Sequence, residues 1–431
     1  MTGITAIGAY LPRARLSRSA IADAMGWLTP GLPRKGSRTL GFWDEDATTM
    51  GVAAARTCLA QPGQEHAPAS LDFCTLTPAF AERQNASILH AALRLPVTCL
   101  HAGKRHHRTC LPDRATPVAC LRRAGACWSP PTVPVTSPGS AAEGRMGDGG
   151  AAVAVNTGPE LLSYLGGVSL TSAMTERYRA PGAPFATEWE DRWVREEGWQ
   201  TLAVAAIEAA LREANLAPDA VDHLVLATTQ PRLAGLVART AGLNKARLAD
   251  DLGAGIGDTA SAQGLMMLAA AVGTIRPGET VLLAGLGQGA TTLLFRATED
   301  IKQARTGFAE SRDAGLSETN YTKLPFFNGL LSWDPRPAWQ DPGHGGTDHG
   351  ASLFRRSAFL DGRALPRDRC RAVSAVTHIR QRPGGAHGYT GALAAGRSWW
   401  ARCVAHRRYI GLLAHFRRPA TGWWIFTAAV G

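Results

Sequence analysis

The chain has 431 residues, 45% hydrophobic and 19% charged, with a formal net charge of +11, enough length for one large core or for two to three ordinary domains. No run of about 18 or more apolar residues occurs, so no membrane span is expected, and the N-terminus lacks the basic start and long apolar stretch of a signal peptide, which implies a cytoplasmic protein. The positive charge invites nucleic-acid binding, and its location along the chain decides that question.

In chain order, Gly3 to Leu11 alternates as a strand and is stopped by Pro12. Residues 16–27 suit a short helix. Asp44-Glu45-Asp46 supplies cap and first-turn carboxylates for a buried helix over 48–59. A strand is expected over Phe73 to Thr77 and a helix over 79–94, ending before Pro96. Regular pattern then disappears until Gly144. Gly147-Asp148-Gly149-Gly150 forms a glycine turn feeding a buried strand through Val155. Another strand starts near Leu161, followed by an excursion carrying Trp189, Trp193 and Trp199. Helix 199–214, strand 223–228, helices 231–242 and 259–273, and strand 280–284 complete the pattern. The last strand opens into Gly285-Leu286-Gly287-Gln288-Gly289, followed by an apolar strand through Phe295 and a turn-rich exit from Ser317 to Trp333.

One unit occurs twice. The helix beginning Thr49-Met50-Gly51-Val52-Ala53-Ala54 leads through a polar loop to Leu71-Asp72-Phe73-Cys74. The helix beginning Thr201-Leu202-Ala203-Val204-Ala205-Ala206 leads in the same way to His223-Leu224-Val225-Leu226. Two copies of helix, loop and strand indicate a duplicated α/β architecture, with a site expected between the halves.

Two segments stand apart. Residues 335–431 hold fifteen Arg, no Lys, four Asp and no Glu, and 97–137 carry +5, so the rest of the chain is mildly acidic at −5. The two segments also hold six of the eight Cys: Cys99, Cys110, Cys120, Cys127, Cys370 and Cys403. Evolved surfaces mix Lys and Glu with Arg. A GC-rich reading frame translated out of register yields this composition, and the alternative is a basic loop insertion with a basic disordered tail. A nucleic-acid-binding tail rests on 335–431 alone, so no nucleic-acid partner is expected.

Other chemistry is weaker. The glycines at 253–257 and 285–289 do not complete a dinucleotide fingerprint and fit tight turns better. No Cys pair stands at two-residue spacing, so no metal site is expected, and Cys120 with Cys127 is too wide for a zinc knuckle. Asn85-Ala86-Ser87 and Asn320-Tyr321-Thr322 read as chance sequons, and Glu82 and Arg83 as a solvated helix start.

Five motifs fall in a telling order: Gly3 to Pro12, Asp44-Glu45-Asp46-Ala47-Thr48-Thr49-Met50, Gly147-Asp148-Gly149-Gly150-Ala151-Ala152, Gly257-Asp258-Thr259-Ala260-Ser261, and Gly285 to Gly289. Together they resemble the thiolase superfamily, in particular hydroxymethylglutaryl-CoA synthase and its β-ketoacyl-ACP synthase III relatives, over about 1–96 and 138–333. The resemblance implies an α/β, thiolase-like αβαβα layered fold of two duplicated halves, 1–158 and 159–316. A linker over 317–334 and an irregular basic tail over 335–431 would follow.

The resemblance also implies an acyl-CoA C-acyltransferase: a Cys takes the acyl group, and a Claisen- or aldol-type condensation follows. The nucleophile falls between Cys99 and Cys110, with Cys110 the choice, although Pro112 follows closely and no small-residue turn surrounds it. The family's His corresponds to Ala227, with His223 at the strand's start read as structural or exposed. The family's Asn corresponds to Asp258, which when ionised accepts but cannot donate a hydrogen bond. Gly257, Gly287 and Gly289 are the substrate-binding candidates.

No cofactor is expected beyond an acyl-CoA or acyl-carrier thioester as substrate, and a homodimer is implied by analogy. The exit segment Glu318 to Trp333 resembles the join to a zinc-ribbon/OB-fold acyl-CoA-binding module. A protein of that kind is the expected partner under the alternative, a non-catalytic thiolase-like scaffold.

Overall fold

A computed structural model describes residues 3–80, 83–104, 125–129, 136–156, 158–180, 183–230 and 232–331. The basic tail, Cys110 and most of the Arg-rich internal segment lie outside the described residues.

The first strand, β1 (Gly3–Tyr10), sends Ile4, Ile7 and Ala9 to one apolar cluster and Ala6 to another, as a strand buried on both faces must. Next come β2 (Ala14–Ser17), α1 (Arg18–Met25) and β3 (Ser37–Leu40). The expected helix over 16–27 therefore yields its first residues to β2, and Ser17 becomes the N-cap that accepts from the Ser19 amide.

Helix α2 (Ala47–Leu59) starts at a capping box. Asp46 accepts from the Thr49 amide at 2.8 Å, and Thr49 Oγ1 accepts from the Asp46 amide at 2.7 Å. Strand β4 (Ser70–Cys74) follows, then α3 (Asn85–Ala92). The expected helix over 79–94 loses its first turn because the Asn85 side chain bonds the Phe80 and Arg83 backbone instead.

Regular structure does not stop there as expected. Strands β5 (Leu100–Lys104) and β6 (Gly125–Ser129) and helix α4 (Ala141–Arg145) precede β7 (Gly150–Asn156). Leu100 in β5 is 61% exposed, so no buried period-2 pattern marks the strand.

The second half runs β8 (Leu162–Thr171), a small hairpin of β9 (Arg177–Tyr178) with β10 (Thr187–Glu188), and a π-helical turn over Val194–Trp199 into α5 (Gln200–Glu213). Strand β11 (His223–Ala227), α6 (Leu233–Thr240), β12 (Arg247–Leu248), α7 (Gln263–Ala271), β13 (Thr280–Gly287) and β14 (Gly289–Ala297) complete it.

The large sheet reads β12-β11-β13-β14-β8-β1-β7-β6-β4-β5. Numbered within its own half, each five-strand set reads third, second, fourth, fifth, first, and the two sets meet first strand to first strand. Directions match as well. The third, second and fourth strands are mutually parallel, and the fifth is antiparallel to both neighbours, in both halves. The duplication inferred from two helix-strand units thus extends to ten strands.

Side-chain alternation separates the layers. Val153 and Val155 of β7, Val225 and Ala227 of β11, and Val281 and Leu283 of β13 join one cluster with Leu265, Met266 and Leu268 of α7. The opposite faces pack outward, Leu224, Leu226 and Leu282 against α5 and α6, and Ala152 and Ala154 against α2 and α3. Helix α7 therefore lies between the inner faces of the two strand sets, and it is buried over Gln263–Ala269. The outcome is a thiolase-like αβαβα layering.

The exit segment is not a free linker. Strand β15 (Leu316–Glu318) pairs with β2, and Tyr321 and Leu324 are buried with Leu16, Ile21 and Leu40.

Candidate active site

Three segments converge at the carboxyl end of the parallel strands of the second half, where open α/β sheets place ligands. The first is the turn before α7. Gly257 has φ +92°, and a Cβ there would stand 2.8 Å from the Met146 carbonyl, so only glycine allows this approach. The contact is a short parallel bridge between Met146 and Asp258. The Asp258 amide donates to the Arg145 carbonyl and the Gly147 amide to the Asp258 carbonyl, both at 2.9 Å. Asp258 is buried, and its Oδ1 accepts from the Ala260 amide at 2.8 Å. That bond closes an Asx-type turn just ahead of the 3₁₀ segment Ala260–Ala262, which runs into α7, and sets an acidic side chain before the start of the central helix. Gln263 Oε1 accepts from the Thr259 amide and hydroxyl at 2.8 and 2.9 Å, which fixes the turn.

The second segment follows β11. Ala227 ends the strand fully buried with its side chain in the α7-facing cluster. Thr229 donates to Glu176 at 2.7 Å, and Gln230 Nε2 donates to Asp191 at 3.0 Å.

The third is the Trp-bearing excursion, latched by Arg145 to Glu188 at 2.9 Å and to Asp191 at 3.1 Å. Arg145, Met146, Glu176, Arg177, Glu188, Asp191 and Thr229 line a cleft there. One backbone bridge links this cleft to Asp258.

Gly287 and Gly289 flank Gln288 in the β13–β14 turn. Gly289 has φ +136°, and a Cβ on it would stand 2.2 Å from the Leu170 carbonyl. Ala227 pairs with Gly285, so Gly287 and Gly289 lie further along β13 and its turn than the end of β11.

Cys110 lies outside the described residues, in the connection between β5 and β6. Its counterpart by internal symmetry is the β12–β13 connection, which carries Asp258 and α7. Cys58 and Cys99 are the free cysteines among the described residues, and burial pushes both thiols up. A nucleophilic thiol requires the opposite shift. His223 is buried at the far end of β11, 2.8 Å from Glu279, which fits a structural role.

Arg145, Glu176, Glu188, Asp191, Thr229 and Gln230 were not singled out from the sequence. The Trp-rich excursion was visible, but its meeting with the residues after β11 depends on the strand order. The hydroxyl and amide run Thr228-Thr229-Gln230, directly after a buried strand, was the available signal.

Residues 211–295 match the family model described as 3-oxoacyl-[acyl-carrier-protein] synthase III C terminal. The hydroxymethylglutaryl-CoA synthase of Picrophilus torridus is 24% identical over 309 residues, covering 69% of this chain and 87% of that protein. The Methanosarcina barkeri enzyme of the same name is 24% identical over 310 residues, with coverages of 69% and 88%. Among solved structures, 3-oxoacyl-(acyl carrier protein) synthase III from Pseudomonas aeruginosa superposes with TM-score 0.58 at 19% identity, covering 69% of this chain and 98% of that one. MvaS in complex with 3-hydroxy-3-methylglutaryl coenzyme A gives 0.59 at 18%, with coverages of 79% and 95%. The chain has a thiolase-like fold, and the resemblance stated from its motifs is shown.

Proposed function

We infer that this chain, similar in sequence and fold to hydroxymethylglutaryl-CoA synthase and 3-oxoacyl-ACP synthase III, is a condensing acyltransferase that acts on acyl thioesters. The observation that carries this reading is the Asp258 turn: a buried acid that orders the turn leading into the central helix, one backbone bridge from a small polar cleft.

In the proposed reaction, the Cys110 thiolate attacks the thioester carbonyl of acyl-CoA. The tetrahedral intermediate collapses, the carbon–sulfur bond to CoA breaks, and the CoA thiolate takes up a proton. A second thioester then gives up a proton from its α-carbon to solvent, which balances the proton taken up by the departing CoA thiolate. That carbon attacks the acyl-Cys carbonyl, forming a carbon–carbon bond and releasing the Cys thiolate. Asp258 orders the start of α7 beside the second thioester, and the glycines at 257, 287 and 289 let backbone approach it closely. A carboxylate cannot donate to a developing enolate oxygen as an amide does, so the condensation half is expected to be the slower one.

Ala227 favours a second reading. A methyl group at the strand end supplies no acid, base or hydrogen bond, as in a thiolase-like scaffold that supports a zinc-ribbon/OB-fold acyl-CoA-binding protein. Incubating the full chain with acetyl-CoA and mapping adducts by mass spectrometry separates the two. The enzyme reading expects an acetyl group on Cys110 and release of one CoA per chain. An absence of acetylation on any Cys removes that reading and leaves the scaffold.

A further inference from the structure

We propose that Arg38 is a positioning residue for the Asp258 turn, acting through the short strand β3 that ties the two halves together beneath the site. Arg38 is 1% exposed, and its guanidinium reaches the first half at two points. Nη1 donates to the Glu143 carbonyl at 2.6 Å, and Nη2 faces Asp148 Oδ1 at 3.6 Å. Asp148 is anchored in turn, since its Oδ2 accepts from the Gly41 amide at 2.8 Å and its own amide donates to Thr39 Oγ1 at 2.7 Å. The residues flanking Arg38 reach the second half. The Ser37 amide donates to the Ala254 carbonyl at 3.0 Å, Ser37 Oγ to the Gly255 carbonyl at 2.9 Å, and the Thr39 amide to the Ile256 carbonyl at 2.8 Å.

β3 is thus a splint. One side grips residues 143–148, the other grips 254–256, and the chain two residues beyond Ile256 meets the first of these segments in the Met146–Asp258 bridge. Glu143 is held from outside by the Tyr321 hydroxyl at 3.1 Å and the Gly139 amide at 2.7 Å, so the Arg38 carbonyl partner does not drift.

Burying a guanidinium among backbone carbonyls and one carboxylate without a full set of hydrogen bonds is costly for stability alone, and an apolar side chain of equal volume would often serve as well. What an apolar chain cannot do is fix β3, whose neighbouring residues hold 254–256, in register against the 143–148 turn. Arg38 Nη2 and Asp148 Oδ1 have no hydrogen-bond partner, so the pair acts as a charge pair between β3 and the 143–148 turn rather than as a closed bidentate clamp.

The test is amide hydrogen exchange on the full chain, comparing wild type with Arg38→Met, Arg38→Lys and the double variant Arg38→Met/Asp148→Asn. The double variant removes both charges, so a fold lost to one stranded carboxylate does not leave the question open. The amides of Gly147, Gly257 and Asp258 are expected to exchange about tenfold faster in Arg38→Met and in the double variant, while those of α5 and β14 keep wild-type protection. Arg38→Lys, which keeps the charge but cannot reach two partners at once, falls between. Unchanged exchange at those three amides overturns the proposal. Equal acceleration across α5 and β14 also overturns it, because Arg38 then stabilises the whole fold and positions nothing in particular.

The kinetic arm rests on the acyltransferase reading. Arg38→Lys is expected to slow condensation about tenfold while acyl-Cys formation from acetyl-CoA holds its rate, and equal loss in both steps overturns the positioning role. If wild type forms no acyl-Cys, the functional reading fails while the exchange result still decides the role of Arg38.

Discussion

Asp258 and Ala227 stand where the motif resemblance expects an Asn and a His, and both lie close to α7, Ala227 in the cluster packed on it and Asp258 in the turn that leads into it. Asp258→Asn keeps the acceptor that caps Ala260 and adds a donor, and Ala227→His adds an ionisable group on the inner face. The double variant is expected to raise the condensation rate by about 10²-fold or more over wild type, with acyl-Cys formation nearly unchanged, in a coupled assay for CoA release. No gain in condensation would show that the cleft does not bring a second thioester to this edge. Asp258 was singled out by the motif resemblance, as the counterpart of an Asn, and not by its own local pattern. Arg38 was not, since a buried guanidinium in a four-residue strand leaves no periodic trace and its partners lie about 105 to 110 residues away.

At the scale of elements, β3, α2 and the 143–148 turn share several carboxyls whose proton affinity burial raises, namely those of Glu45, Glu143 and Asp148. A folded-state pKa above the unfolded one means the native state binds the proton more tightly. The stability so contributed is fully present below the ordinary carboxylate pKa of about 4 and is lost as pH rises through the raised value. Urea unfolding across that window is expected to show a decline with rising pH. Glu45→Gln should make the decline shallower, because Gln does not titrate, while its single oxygen can accept from the Phe42 amide and its NH2 can donate to the Tyr10 hydroxyl oxygen. An unaltered slope would exclude Glu45 as a contributor. Long elements with strong caps, such as α2 with Asp46, were readable to within a residue or two. β5 was not, because Leu100-His101-Ala102-Gly103 lacks β-branched residues and leaves Leu100 and His101 outside the core.

Across the whole molecule, the two strand sets match to the fifth strand, while the composition of 97–137 and 335–431 belongs to a different kind of sequence. Reading the coding DNA in its neighbouring frames is expected to reveal ordinary α/β sequence across 97–137, including a cysteine in a small-residue turn before β6. If neither neighbouring frame encodes such a segment, the basic stretches are genuine insertions. The pairing of β1 with β7 and β8 has a further consequence for synthesis on the ribosome. β1 waits for partners about 140 to 160 residues behind it, so both of its edges stay open while the basic segment 97–137 is being made. A chain released before β7 is complete would carry β1 unpaired, a mostly apolar strand with both edges open. The completeness of the first half therefore governs whether the nascent protein folds or aggregates, before any question of catalysis arises.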